Sequence, residues 1–269
     1  MRFIDTHTHL YDEAYGGVQG QDEAVRRAVD AGVDMMIVPD TCSHDREGVM
    51  SLCRRWPNNT RPCVGLHPEE VGNDWKEALA QTIADAASHH CAGAEASDNR
   101  QIVAIGEAGM DLHYGRDFEI QQEEVFRAQL DLALELHLPV IVHSRDALEQ
   151  TFRILEDYKG RGLTGVFHAF SGSFETFERL DGYGDWMVGI GGVLTFKNAS
   201  IARTAADIPL ERIILETDSP YLTPTPHRGE RNESSYIPLI AEFLAGVKNK
   251  EIGEIAETTT RNAVKLFNI

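Results

Sequence analysis

The sequence has 269 residues, of which 42% are hydrophobic and 25% are charged, a balance typical of a globular enzyme long enough to bury one large core. Acidic residues number 43 against 25 basic ones, and the net charge of −18 argues against a module that coats nucleic acid through a basic face. A nuclease is not excluded by this charge, because bound metal ions can reverse the electric field inside a single pocket.

No apolar run is long enough to cross a membrane, and the first residues lack the basic and apolar regions of a signal peptide. The four cysteines (Cys42, Cys53, Cys63 and Cys91) show no Cys-x-x-Cys spacing, so reduced thiols are expected. We therefore predict a cytoplasmic protein without a membrane partner, and nothing in the sequence indicates an obligate protein partner.

Short apolar runs of β type alternate with helical stretches along the whole chain. In chain order, the predicted strands are 2–6, 33–38, 62–66, 102–106, 139–142, 164–167, 186–190 and 212–216. The predicted helices include 22–31, 75–88, 118–137, 147–158 and 174–180, and a proline-rich loop at 220–226 precedes two more, 234–247 and 252–266. Residues 88–100 are predicted to form an extended loop whose His89 and His90 are solvated.

This alternation predicts an α/β protein with a single domain over residues 1–269, most simply a (β/α)₈ TIM barrel. In such barrels the chemistry lies at the C-terminal ends of the strands. Ionisable residues follow six of the eight predicted strands, namely His7 and His9, His67, Glu107, His143 with Arg145, His168, and Asp218. Turn or capping chemistry does not readily explain so many of them on one rim, so we predict a functional site there.

A first pair of metal ligands is indicated by His7 and His9, because side chains two residues apart on a strand leave the same face. The full set of predicted metal ligands is His7, His9, Glu107, His143, His168 and Asp218. Four imidazoles and two carboxylates are too many for one divalent ion and suit two ions with a shared ligand. In a closed barrel the first and eighth strands are neighbours, as are the fifth and sixth, so each pair of strands is assigned one ion. Glu107 can bridge the two ions through its two oxygens.

Blocks of residues around these positions follow one another in a characteristic order. They are Phe3-Ile4-Asp5-Thr6-His7-Thr8-His9, Gly65-Leu66-His67-Pro68, Ile105-Gly106-Glu107-Ala108-Gly109-Met110-Asp111, Val142-His143-Ser144-Arg145-Asp146-Ala147, Phe167-His168-Ala169-Phe170-Ser171-Gly172, Leu215-Glu216-Thr217-Asp218-Ser219-Pro220 and Arg228-Gly229-Glu230-Arg231-Asn232-Glu233. In order and spacing the chain resembles the TatD family of metal-dependent deoxyribonucleases, among the amidohydrolase-like metallohydrolases. It departs from the family at Met110, at His113-Tyr114 and at Ser234, none of which is a predicted ligand.

The resemblance implies a (β/α)₈ barrel with two divalent ions held by the six residues above. Family members are usually described as Mg²⁺-dependent, whereas mixed imidazole and carboxylate ligands suit Zn²⁺, Mn²⁺ or Fe²⁺, so the identity of the metal stays open, with Mg²⁺, Mn²⁺ and Zn²⁺ as the leading candidates. The resemblance also implies a hydrolase that cleaves phosphodiester bonds of DNA, as a 3′ to 5′ exonuclease acting on single strands or 3′ ends.

Within this site the residues are expected to have separate roles. A hydroxide bridging the metal ions would attack the phosphorus, with Glu107 as the bridging ligand and Asp218 as the general base. The candidate substrate-binding residues are His67, Arg145 and Arg228. A structural salt bridge is the alternative for Arg145, and a hydrogen-bonded rim position is the alternative for His67. Glu216 is expected to orient a ligand or to line the barrel.

Two other functions remain open at this point. The same two-metal site could hydrolyse another ester, an amide or a lactone, because a fold and its metals do not determine the substrate. Many relatives in the wider group bridge their metals with a carboxylated lysine, and Glu107 in the fourth-strand position favours the TatD branch. A non-catalytic barrel is disfavoured, because all six predicted ligands are present.

Overall fold

The computed structural model describes residues 1–91 and 101–269 and contains eight parallel strands that alternate with helices. The strands are β1 (Phe3–Asp5), β2 (Val33–Pro39), β3 (Thr60–Cys63), β4 (Ile105–Asp111), β5 (Val140–Arg145), β6 (Gly165–Phe167), β7 (Trp186–Ile190) and β8 (Ile213–Leu215). The described helices are α1 (Val18–Asp30), α2 (Ser43–Arg55), α3 (Trp75–Cys91), α4 (Glu119–Leu136), α5 (Leu148–Glu156), α6 (Phe174–Asp181), α7 (Ile201–Asp207), α8 (Ile237–Lys248) and α9 (Ile252–Phe267). All eight predicted strands are present, with bounds that differ by a few residues.

Apart from shifts of a few residues at their ends, the helices agree with the sequence prediction except at four places. Neither α2 nor α7 is among the stretches predicted from sequence, and α8 begins after a 3₁₀ turn at Ser234–Tyr236. Helix α3 continues to Cys91, so His89 and His90 lie on a helix and not in the predicted loop. The rest of that predicted loop, residues 92–100, lies outside the described residues. Within the described ranges no helix has both the length and the apolar character that a membrane span requires.

The strands form two parallel sheets that meet at both edges. One sheet has the order β1-β2-β3 and the other the order β4-β5-β6-β7-β8. Between β3 and β4, the amide of Gly106 donates to the carbonyl of Val64 at 2.9 Å. Between β8 and β1, the amide of Thr6 donates to the carbonyl of Leu215 at 3.0 Å, and a further bridge joins Thr8 to Ser219. The strands therefore close on themselves, and the predicted (β/α)₈ barrel is confirmed.

Two hydrophobic clusters separate the inside of the barrel from its outer layer. The larger cluster lies between the strands and the surrounding helices. The smaller one takes residues from or next to all eight strands and from α9, namely Ile4, Ile37, Cys63, Val103, Ala104, Ile141, Val166, Met187, Ile214, Ala263 and Phe267. Helix α9 is held at the starts of β8 and β1, because Asn262 donates to the carbonyl of Ile213 and Thr260 donates to that of Arg2. The N-terminal end of the barrel is thus filled by apolar side chains.

Strand β4 carries an irregularity that turns Glu107 toward the barrel interior. Ile105 pairs with Val140 and Ala108 with Val142, so three steps along β4 match two steps along β5. Because Ile105 and Ala108 both belong to the outer cluster, the extra residue leaves Glu107 facing inward. The strand extends to Asp111, beyond the predicted end at 106, and Glu107 therefore lies within the strand and not after it.

Candidate metal centre

Seven ionisable side chains converge at the C-terminal end of the barrel. They are the six predicted metal ligands and His67, in the order His7, His9, His67, Glu107, His143, His168 and Asp218. The sequence brings them there because each follows a strand or lies within one, after residues that are buried and mostly apolar. Glu107 lies at the centre, with only 3% of its surface exposed.

One carboxylate oxygen of Glu107 faces the histidines of the first strand. Its Oε2 lies 3.2 Å from Nε2 of His7 and 3.7 Å from Nε2 of His9, and the two Nε2 atoms are 3.2 Å apart. Asp218 completes this group, since its Oδ1 lies 3.6 and 3.5 Å from the same two nitrogens. This is the group of three residues that the sequence assigns to one ion together with Glu107.

The other oxygen of Glu107 faces the histidines of the fifth and sixth strands. Its Oε1 lies 2.6 Å from Nε2 of His168 and 3.0 Å from Nδ1 of His143, and those two nitrogens are 3.1 Å apart. His67 also reaches this oxygen, with its Nε2 at 3.4 Å. The division of ligands expected from the strand order is therefore also a division between the two oxygens of one carboxylate.

The spacing of these donor atoms fits divalent metal ions. An ion with ligands at about 2.1 Å in tetrahedral or octahedral geometry holds those ligands roughly 3.0 to 3.4 Å apart. The nitrogen and oxygen atoms on each side of Glu107 are separated by 2.6 to 3.7 Å. Two nitrogens at 3.1 or 3.2 Å can share only one proton, whereas a cation between them satisfies both lone pairs. The donor set thus suits two divalent cations.

The ionisation of the cluster is consistent with sites that cations can occupy. Burial lowers the pKa of His7 to about 4, which leaves its imidazole neutral and able to coordinate. Burial acts against the charged form of Glu107, but the neighbouring His168 and His7 hold its pKa well below the usual range. Burial would likewise lower the pKa of His168, yet the adjacent Glu107 carboxylate raises it to about 10, so a metal ion must displace a proton from this imidazole.

A buried carboxylate ties the first ligand strand to the last. Asp5 accepts hydrogen bonds from the hydroxyl of Thr217 at 2.6 Å and from the amides of Thr217 and His7. The amide of Asp218 in turn donates to the carbonyl of His7 at 2.9 Å. Burial raises the pKa of Asp5 to about 6. These bonds hold His7 and Asp218 side by side although they are far apart in the sequence.

The carboxylate of Asp111 contacts the ring of His143, and sequence reasoning did not assign Asp111 to the site. Its Oδ2 lies 2.8 Å from Nε2 of His143, whose other ring nitrogen faces Glu107. A carboxylate behind a metal-binding histidine fixes the ring and its tautomer. Gly109 allows this approach, because a Cβ there would lie 1.9 Å from the carbonyl oxygen of His143. The available signal is strand alternation, since Glu107 and Asp111 are four residues apart on β4.

The sequence block at 228–233 holds the loop after β8, which carries Asp218, in place. Asn232 donates to the carbonyls of Thr217 at 2.8 Å and Tyr221, on either side of Asp218. Glu233 forms a salt bridge with Arg27 of α1 at 2.7 Å. These contacts fasten the loop after β8 to the first helix.

The three candidate substrate-binding residues lie at different distances from the cluster. His67 is buried inside it, and Arg145 stands on the rim two residues beyond His143. Arg145 forms a long salt bridge with Glu69 at 3.6 Å, and the neighbouring Asp146 contacts His113 instead. Arg228 lies elsewhere on the rim, with its guanidinium 3.8 Å from the centre of the Phe196 ring and directed to the carbonyl of Thr223.

Glu216 lies beside the cluster in the barrel wall. Its Oε1 accepts a hydrogen bond from the amide of Ala169, the residue after His168. Burial raises the pKa of Glu216 to about 8, although the nearby charge of His168 opposes this. A carboxylate oxygen of Glu216, a ring nitrogen of His7 and a ring nitrogen of His168 all lie within 4.8 Å of one another. The carboxyl therefore both supports the His168 segment, as expected for an orienting residue, and lies within reach of the metal centre.

Comparison with known proteins gives the same picture along the whole chain. The profile of a family described as "TatD related DNase" matches residues 4–268. The "Uncharacterized metal-dependent hydrolase YcfH" of Escherichia coli K12 is 40% identical over 272 aligned residues, with 100% of this chain and 97% of that protein covered. The "3'-5' ssDNA/RNA exonuclease TatD" of Erwinia tasmaniensis is 32% identical, with 93% and 94% covered.

A solved structure agrees with these sequence matches. The crystal structure of the TatD homologue YJJV from Escherichia coli K12 superposes with a TM-score of 0.88 at 28% identity, and it covers 100% of this chain and 98% of its own. The barrel is thus shared with a known protein over its full length.

Proposed function

The chain belongs to the TatD-related DNase family and is a metal-dependent hydrolase, and on that premise we propose that it cleaves phosphodiester bonds of DNA from the 3′ end. The observation that carries the proposal is the central Glu107, whose two oxygens face two separate groups of nitrogen and oxygen donors. Such an arrangement suits a pair of divalent ions, and paired ions are typical of enzymes that hydrolyse phosphodiesters.

The residues of the cluster have different roles in the proposed reaction. When bound, two divalent ions would supply positive charge to a phosphoryl oxygen and lower the pKa of a water molecule. Asp218 has a partly exposed carboxylate at the edge of the donor group, where it can accept the proton of the attacking water. His67 faces Glu107 from the opposite side and can donate a hydrogen bond to a phosphate oxygen or protonate the leaving group.

Nucleic acid as the substrate is supported by the relatives and is compatible with the charge. A protein 32% identical over 255 aligned residues is named a 3'-5' ssDNA/RNA exonuclease. The net charge of −18 disfavours binding along a long duplex and favours recognition of a few phosphates at one strand end. Arg145 on the rim is available for one such phosphate.

We further propose that the protein acts in the cytoplasm. Cys42, Cys53 and Cys63 are free thiols in the described residues. Burial raises the pKa of Cys53 to about 11 and that of Cys63 well above its usual range, so neither is a reactive thiolate. Buried, reduced cysteines of this kind suit a reducing compartment.

The proposed activity is tested by metal reconstitution. Metal-stripped protein would be loaded with Mg²⁺, Mn²⁺ or Zn²⁺ and given single-stranded DNA labelled at its 3′ or 5′ end, a simple phosphodiester and a lactone. We expect release of nucleotides from the 3′ end, with a loss of about a thousandfold or more in the Glu107→Ala variant, because the shared ligand of both ions is gone.

The matched control is Glu242→Ala, which removes an exposed glutamate of α8 and is expected to retain wild-type activity. Turnover of the lactone with intact DNA would replace the proposed substrate with another ester. Activity of wild-type strength in Glu107→Ala would remove the two-metal basis of the proposal.

A further inference from the structure

An exposed aromatic ring stands on the rim beside the metal centre. Tyr114, in the loop between β4 and α4, is 77% exposed, although tyrosine usually buries its ring. The guanidinium of Arg145 lies 5.2 Å from the ring centre on one side. His113 packs against Tyr114 edge-on at 4.9 Å and is itself held by Asp146 at 2.7 Å. The ring is therefore supported by neighbours while most of its surface faces solvent.

Strand register places this ring next to the reacting end of the site. In the register of the two strands, Arg145 of β5 lies opposite Asp111 of β4, and the Asp111 side chain contacts His143. Arg145 also lies two residues beyond His143 on β5, so both side chains leave the same face, about 6.6 Å apart along the strand. Tyr114 follows Asp111 by three residues. Tyr114 and Arg145 therefore lie on the same side of the rim as the Asp111–His143 contact.

The Arg145 guanidinium is available for an anionic ligand. Arg145 forms a salt bridge with Glu69, whose Oε1 lies 3.6 Å from a terminal nitrogen of Arg145, and both side chains are about half exposed. A long, solvated pair of this kind contributes little and can exchange for a phosphate, which offers a charge-assisted and bidentate contact. The rim thus presents an aromatic face beside a positive charge whose present carboxylate partner is exchangeable.

We propose that Tyr114 and Arg145 form a nucleotide platform: an unpaired base stacks on the open face of Tyr114, and the adjoining phosphate pairs with Arg145. Stacking needs a base that is free of its complementary strand, and every base has a face that can stack. The platform therefore selects single-stranded ends without selecting a sequence. This inference rests on the proposed nuclease function, to which it adds the feature that tells a nucleotide from a plain phosphodiester.

The platform is tested by pairing a protein variant with a substrate that lacks the stacking base. Metal-loaded protein would be titrated with a fluorescent single-stranded oligonucleotide whose phosphorothioate linkages resist cleavage, and with versions carrying one abasic residue at each of the three 3′-terminal positions. Binding would be followed by fluorescence anisotropy for wild type, Tyr114→Ala, Tyr114→Phe and the control Phe243→Ala, which removes an exposed aromatic ring from α8.

We expect Tyr114→Ala to weaken binding about fivefold or more, while Tyr114→Phe and Phe243→Ala bind like the wild type. One abasic position should weaken wild-type binding by a similar factor and have no further effect in Tyr114→Ala, because ring and base form one contact. Equal binding by Tyr114→Ala and wild type, or additive losses at all three abasic positions, would overturn the platform. A wild-type protein that neither binds nor cleaves DNA would instead remove the nuclease function on which the platform rests.

Discussion

The two ends of the barrel interior are built from the same strand faces but have opposite chemistry. At the N-terminal end the strands contribute apolar side chains such as Ile141, Val166 and Ile214. Two residues later on the same strands stand His143, His168 and Glu216. Because side chains two apart share a face, one set packs the interior and the next set lines the candidate metal centre. A single step of strand alternation separates the part that stabilises the fold from the part that carries the chemistry.

This difference means that the polar end works against folding unless cations are present. Burying several imidazoles and carboxylates together costs free energy, because charged groups lose their water and like charges face one another. The apolar end has no such penalty and gains from burial. We therefore expect stability to depend on the apolar end in every condition, and on the polar end only through bound metal.

Truncation of Ile141 is expected to show the clearest difference between the two ends, because it should lower stability without affecting metal binding. Replacing this buried side chain by alanine removes packing contacts and leaves a cavity, so the free energy of unfolding should fall by about 2 to 5 kcal/mol. Urea unfolding would measure the loss, with Ile141→Val as the milder matched change at about 0.5 to 1.5 kcal/mol. The folded Ile141→Ala protein should still bind metal. Loss of metal binding at temperatures where it remains folded would show that the two ends are not separate.

Metal removal should show the dependence of the polar end on cations. Saturation of one site with metal at a hundred times its Kd stabilises a folded protein by about 2.7 kcal/mol, which for a chain of this size raises Tm by roughly 5 to 10 °C, and a second occupied site adds to this. Calorimetry with and without chelator would measure the difference. Ile141→Ala should keep that difference and Glu107→Ala should lose it. An equal Tm for metal-free and metal-loaded wild type would contradict the account.

Asp111→Asn should have a smaller effect that is confined to the polar end. The amide still fits beside His143 but no longer holds the ring with a charge, so metal affinity should fall about 10- to 100-fold. A competition titration with a chromophoric chelator would measure this, with Asp131→Asn on the exposed face of α4 as control. Unchanged affinity in Asp111→Asn would show that His143 is oriented by other contacts.

The smallest effects are expected from the two rim arginines. Arg145→Ala should raise the KM for DNA about tenfold, because it removes a charge-assisted contact beside the centre. Arg228→Ala should change KM by less than about twofold, since its guanidinium is stacked on Phe196 and directed to a backbone carbonyl. Steady-state kinetics on one oligonucleotide would compare them. A larger change for Arg228→Ala than for Arg145→Ala would place the DNA on the other side of the rim.

Sequence reasoning succeeded where strand ends and ligand types agree. The eight strands could be predicted from apolar runs, and ligands at strand ends could be expected to meet because a closed barrel brings those ends onto one rim. His7 and Asp218 illustrate this, since they come together only through the neighbouring first and eighth strands. Both oxygens of Glu107 face donors in the expected division.

Side-chain directions and contacts that depend on local backbone geometry could not be predicted from the sequence. The extra residue in β4 shifts the alternation of side chains, so the inward direction of Glu107 does not follow from a regular pattern. The place of Asp111 behind His143 follows from alternation only once Glu107 is known to face inward. Helix α2 escapes detection because its buried face is short and interrupted by charged residues. His67 was expected to contact substrate, but its closeness to Glu107 depends on the approach of β3 to β4.

The central claim, that one carboxylate joins two metal sites, is tested most directly by counting metal ions per chain. Protein loaded with excess metal and then desalted would be analysed by inductively coupled plasma mass spectrometry. We predict two ions for the wild type, one for the His143→Ala/His168→Ala double variant, and a loss of both from Glu107→Ala. A single ion in the wild type, or two ions retained in Glu107→Ala, would contradict the account.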